Sequence, residues 1–141
     1  PFSLYGGKGS ICIITYGRLF SFAAESQQVL KKQGLPVQLI KLNRIIPIDL
    51  EAVKAAMPCQ NVFFFEEGVR LGGIGEHFGF LLQEMGFGGR YHLRAIEDPY
   101  VPHAPMFRAL EALGLNAQGI ISTILRQRDL EKGAGFSEKE T

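Results

Sequence analysis

Tryptophan is absent from this chain of 141 residues, and cysteine nearly so, with only Cys12 and Cys59. Two cysteines cannot build a disulfide framework, and these two have no metal-ligand spacing. Both lie beside strand-like runs, where a buried thiol is the simplest reading. Charge of one sign is missing as well: fifteen Lys and Arg face fourteen Asp and Glu, a net charge of +1. No basic field recommends nucleic acid or an anionic membrane as a partner. No apolar run is long enough to span a bilayer, and the start carries no signal-peptide pattern, so a cytoplasmic setting is the default expectation. The chain opens on Pro1 rather than methionine, which suggests a piece cut from a longer polypeptide. Internal repeats and low-complexity segments are absent.

What is present is the make-up of one globular domain, with 46% hydrophobic and 21% charged residues. The stretch at 61–86, NVFFFEEGVRLGGIGEHFGFLLQEMG, organises the rest. Val62 to Phe65 is a short apolar run of strand formers. Glu66 and Glu67 end it, and Gly68, Gly72, Gly73 and Gly75 make a glycine-laden turn. Ile74, Phe78, Leu81, Leu82 and Met85 then fall at helical spacing, with Gly86 placed as a C-terminal cap. This pattern predicts a buried strand, an acidic corner, a loop and a helix packed back on the sheet.

Before it, Phe2 to Tyr5, Ile11 to Tyr16 and Val37 to Leu42 read as strands. Leu19, Phe22, Ala23, Val29 and Leu30 mark a helix stopped by Gly34 and Pro36. Asp49 is a candidate N-cap for a short helix with Leu50, Val53 and Met57 inward. After it, Tyr91 to Ile96 reads as a strand. A proline-bracketed loop containing His103 leads to a helix with Met106, Ala109, Leu110 and Leu113 inward. A last helix after Asn116 carries Ile120, Ile121, Ile124 and Leu125. Residues 129–141 read as a polar, disordered tail behind a domain over 1–128. Alternating strands and helices with near-continuous apolar strands predict an α/β fold, its mainly parallel sheet covered on both faces. Right-handed crossovers would bring the loops after Tyr16, Leu42, Phe65 and Ile96 to one sheet edge, where open sheets bind ligands.

Several constellations at that edge need weighing. Gly73, Gly75 and Gly79 spell G-x-G-x-x-x-G, but Glu66 to Leu71 intervene after the strand, whereas a dinucleotide fingerprint needs its first glycine almost at the strand end. The better reading is that these glycines permit a sharp turn and close packing of helix on sheet. Glu66 and Glu67 point to opposite faces of an extended chain, so they cannot serve one small substrate together. One is expected to bond NH groups of the glycine loop while the other is solvated. His77, His92 and His103 lack the spacing of a helical metal site. His77 is expected to be exposed, and His103 to bond the backbone of its proline-stiffened loop. No serine or cysteine sits in a nucleophile elbow.

Taken in order, SICIITYG, VQLIKLNRIIPID, NVFFFEEGVRLGGIGEHF and IEDPYVPHAPMFRALEALGLNAQGI resemble the C-terminal domain of the transketolase family, most of all its 1-deoxy-D-xylulose-5-phosphate synthase branch. The resemblance covers nearly all of residues 5–125. It implies a three-layer α/β/α domain with a mixed five-stranded sheet, Phe2 to Tyr5 being the antiparallel strand. It also implies a full-length parent that decarboxylates pyruvate and condenses the two-carbon fragment with glyceraldehyde 3-phosphate, using thiamine diphosphate and magnesium held by other domains. This fragment would hold no cofactor, metal or catalytic residue; it would brace the cofactor domains and contribute to a homodimer. Glu66, Glu67, Gly72, Gly73, Gly75 and His103 are the candidate loop or interface residues. Glu76-His77 and Ala104 depart from the synthase pattern. They leave a transketolase or a 2-oxoacid dehydrogenase β-subunit open as the parent, and a small nucleotide- or effector-binding module stands beside them.

Overall fold

The computed structural model describes residues 2–6, 9–66, 73–95 and 117–140. The elements among these described residues are β1 (Phe2–Tyr5), β2 (Ile11–Thr15), α1 (Leu19–Lys32), β3 (Val37–Leu42), α2 (Leu50–Ala56), β4 (Asn61–Glu66), α3 (Ile74–Glu84), β5 (Arg90–Ala95) and α4 (Ala117–Glu140). The strands form one sheet in the order β1-β3-β2-β4-β5. β1 alone is antiparallel, with Phe2 opposite Leu42, while β2, β3, β4 and β5 run parallel. This is the mixed five-stranded sheet that the family resemblance implies, with Phe2 to Tyr5 as its reversed strand.

The strands are apolar throughout because each face has its own helix layer. Ile11, Ile13, Phe63 and Phe65 pack with Leu19, Ala23 and Leu30 of α1 and with Ile120, Ile121 and Ile124 of α4. The alternate residues Cys12, Ile14, Val62 and Phe64 pack with Ala52, Val53 and Ala56 of α2 and with Phe78 and Leu82 of α3. Each fully buried phenylalanine contributes on the order of 2–3 kcal/mol of transfer free energy, so β4 is the energetic centre of both layers.

Local chemistry sets the helix ends. Asp49 caps α2, its Oδ1 accepting the NH of Glu51 at 2.9 Å. Gly86, at φ +84°, takes the left-handed turn that ends α3, and the NH of Phe87 then donates back to the Leu82 carbonyl at 3.0 Å.

Three details differ from expectation. Leu50, placed inward by helical spacing, is 53% exposed, because it opens α2 at the rim while Ala52, Val53 and Ala56 carry the buried face. The last strand runs over Arg90–Ala95, and Ile96 lies outside the described residues. α4 continues past Asp129 to Glu140, where the sequence predicts a disordered tail. Glu131 gives the physical reason: it reaches the side chains of Asn61, Arg90 and Gln127 and ties that turn to the sheet. The expected helix around Met106 to Leu113 lies outside the described residues.

Candidate functional site

β2 sends its crossover through α1 to β3 on one side, and β4 sends its own through α3 to β5 on the other. Their carboxyl ends therefore flank the point where the winding reverses, the usual ligand crevice of an open α/β sheet. Tyr16 leaves β2 there and Glu66 ends β4 there. The Tyr16 hydroxyl donates to Glu66 Oε2 at 2.9 Å. The NH of Gly75, in the first turn of α3, donates to Glu66 Oε1 at 3.0 Å. A buried carboxylate from the sheet thus takes the role of the missing local cap, since Gly73 at the N-cap makes no side-chain bond.

Gly75 is held from both sides. Its carbonyl accepts the Tyr91 hydroxyl from β5. A Cβ there would collide with Leu93 and lie 2.8 Å from Glu66 Oε1 and 3.0 Å from Phe64. Only glycine lets α3 approach the sheet closely enough for this bond to Glu66. Gly73 differs, for its φ of −81° and ψ of 175° suit any residue.

Burial pushes the Glu66 carboxyl above its ordinary range, and the nearby Glu76 adds to this; the bonds from Tyr16, Gly75 and Ile74 pull the other way. Burial, with the Glu66 charge second, also raises the Tyr91 phenol. Both Glu66 oxygens are engaged by the protein itself, so the carboxyl fixes the helix start instead of presenting a free acid or base to a substrate. Among the described residues no three His, Cys, Asp or Glu side chains gather into a metal site. The donors among the described residues fit neither magnesium nor a diphosphate.

Of the residues singled out in sequence, Glu66, Gly73 and Gly75 come together here. Glu67, Gly72 and His103 lie outside the described residues, as does Arg70. His77 is exposed and stacks beside Phe80. Sequence reasoning missed Tyr16 and Tyr91; the only signal was that each ends or lies in a strand bordering β4.

It also missed a second polar cluster at the opposite end of β4. Asn61 is buried, its Nδ2 donating to Glu131 Oε1 at 3.0 Å and its Oδ1 lying 2.9 Å from His92 Nε2. His92 stacks on Phe63 with centroids 4.4 Å apart. Burial and then the Arg94 charge lower the His92 pKa, with Arg90 assisting and Glu131 opposing.

Comparison with known proteins gives a consistent picture. The family described as "Transketolase, C-terminal domain" matches residues 7–120. A 1-deoxy-D-xylulose-5-phosphate synthase of Lachnoclostridium phytofermentans is 31% identical over 131 residues, covering 92% of this chain and 21% of that protein. The synthase of Thermotoga petrophila is 32% identical over 95 residues, 67% of this chain and 16% of that protein. The chain therefore spans about a fifth of the length of these relatives. A solved structure described as a split gene transketolase, inactive β4 tetramer, superposes with a TM-score of 0.79 at 20% identity, covering 89% of this chain and 41% of that one. That likeness establishes the fold.

Proposed function

Because the chain belongs to the transketolase C-terminal domain family, we propose that it is the non-catalytic C-terminal domain of a thiamine-diphosphate-dependent transferase of the 1-deoxy-D-xylulose-5-phosphate synthase kind. In this reading the parent joins pyruvate to glyceraldehyde 3-phosphate with loss of CO2, in the cytoplasm. Thiamine diphosphate and magnesium belong to its other domains. This domain braces them and contributes to a homodimer. The observation that carries the reading is 31% identity along 92% of this chain to a synthase of which it spans only 21%.

The geometry is compatible with a bracing role. The Glu66 carboxyl holds the start of α3 without offering a free oxygen, which suits a rigid abutment better than a reaction centre. Leu4 of β1, Ile46 beyond β3 and Leu50 of α2 are more than half exposed, apolar surface that a neighbouring domain could cover. No helix among the described residues is long and apolar enough to cross a membrane.

Light scattering over a range of concentrations tests assembly first. A dimer supports the assembly role, and a monomer at every concentration assigns dimerisation to the other domains. Adding the chain to the separately produced cofactor domains tests bracing. Synthase turnover should rise on mixing and be undetectable for the chain alone; turnover by the chain alone would overturn the non-catalytic reading.

A further inference from the structure

We propose that the turn from β2 into α1 binds the phosphoryl group of a small phosphate monoester, with the Thr15 hydroxyl at the base of the site. Thr15 ends β2 and is wholly buried. Its Oγ1 has no hydrogen-bond partner among the described residues. The other buried polar side chains there, Ser26, Gln27, Gln38, Asn61 and Glu66, are each bonded. Valine has the same shape as threonine, and an unpaired buried hydroxyl is destabilising. Packing alone therefore gives no reason for threonine at this position, whereas a ligand that bonds the hydroxyl does.

Strand alternation settles the direction of Thr15. It shares the face of Ile11 and Ile13, which pack under α1, and its register partner on β3 is Lys41. Lys41 reaches the same place, its Nζ lying 4.7 Å from the ring centre of Phe20 in the first turn of α1. α1 runs for 14 residues, and its start carries no side-chain cap and no acidic residue. A helix of that length presents its first NH groups and the positive end of its dipole to an anion. Hydroxyl, ammonium and helix start thus come from β2, β3 and α1 to one spot at the carboxyl edge of the sheet.

Gly17 supplies the way in. It is exposed at φ +66°, and no atom of the described residues lies within 4 Å of where its Cβ would stand. An anion enters on this open side of the turn and meets Thr15 beneath it. Donors arriving from three elements suit a tetrahedral oxyanion better than a planar carboxylate, and a double charge answers both the ammonium and the dipole. The site is distinct from Glu66, which already occupies the start of α3. It does not depend on which enzyme the parent is.

Titrating inorganic phosphate into the isotope-labelled chain at constant ionic strength, followed by amide chemical shifts, gives the test. Saturable shifts centred on residues 15–20 are expected, with glycerol 3-phosphate binding at least as tightly and acetate more weakly. Thr15→Val should keep the fold and weaken phosphate binding about tenfold, the worth of one hydrogen bond to a charged group. Lys41→Gln, on a half-buried side chain, should also weaken binding and lessen its dependence on salt. Shifts that never saturate, or that scatter over surface lysines, would mean an adventitious ion only and overturn the proposal. Unchanged phosphate affinity in either variant would overturn it too. Acetate binding as tightly as phosphate, or glycerol 3-phosphate failing to compete, would overturn the assignment to a phosphate monoester.

Discussion

β4 carries a buried polar residue at each end, Asn61 and Glu66, and the protein secures them in opposite ways. Glu66 faces the α2–α3 layer and is satisfied mostly by a near neighbour in the chain, the first turn of α3, with Tyr16 added from β2. Asn61 faces the α1–α4 layer and reaches across the fold to His92 and to Glu131, 70 residues away. One end positions a helix start next to the switch in winding. The other fastens the last helix to the sheet. The same strand therefore holds a nearby helix start with a carboxyl and a distant helix with an amide. The amide suits the second task because it both donates and accepts, as a carboxylate cannot.

The strongest way to break this contrast is at Gly75. Gly75→Val puts a branched side chain against Leu93, Phe64 and Glu66, and should cost about 3 kcal/mol of stability by overpacking. Chemical denaturation measures it; an unchanged midpoint would mean that α3 does not depend on close approach to the sheet. Next comes Asn61→Leu, which keeps the volume but leaves Glu131 and His92 without their shared partner. A loss of about 2 kcal/mol is expected, together with faster amide exchange in α4 near Glu131. Unchanged exchange there would separate the Asn61 cluster from the anchoring of α4.

Titration sharpens the comparison, because the two ends have opposite sign. Glu66, held above the ordinary carboxylate range, binds its proton more tightly folded than unfolded. Its contribution is complete below that ordinary range and is lost as pH rises through the raised value. His92, held below the ordinary imidazole range, contributes stability that is present above that range and lost as pH falls through the lowered value. In a series of melting curves from acid to neutral pH, Glu66→Gln should therefore remove a fall in stability with rising pH. His92→Gln should remove a rise. Parallel curves for both variants and the parent chain would show that neither shift matters to folding. The smallest expected effect is at Gly73, whose backbone suits any residue: Gly73→Ser supplies a better N-cap and should change stability by no more than about 0.5 kcal/mol. A large loss there would put the steric demand on the wrong glycine.

Much of this architecture is legible in the sequence because the strands are apolar runs punctuated by glycine and proline. Val62 to Phe65 can hardly be anything but a doubly covered strand, whereas the reversed direction of Phe2 to Tyr5 followed only from the family resemblance. Strand parity says that only one of Glu66 and Glu67 meets the turn into α3, and the bond from Gly75 to Glu66 settles which. The partners of Glu66 are not legible: Tyr16 lies 50 residues earlier, and only the strand order makes it a neighbour. Leu50 misleads because α2 has seven residues, too few turns for spacing to separate a buried stripe from a rim. The segment after Asp129 misleads because its polar composition looks self-sufficient in water. Glu131 is held by Asn61, which reads in sequence as nothing more than a polar strand boundary.

The reversal of β1 has a practical consequence. With Phe2 opposite Leu42, at the carboxyl end of β3, the start of this strand lies on the sheet edge that also carries Tyr16 and Glu66. A fluorescent reporter joined ahead of Phe2 would sit over the Glu66 edge and report on whatever docks there, while remaining a full strand length from Asn61 and its histidine.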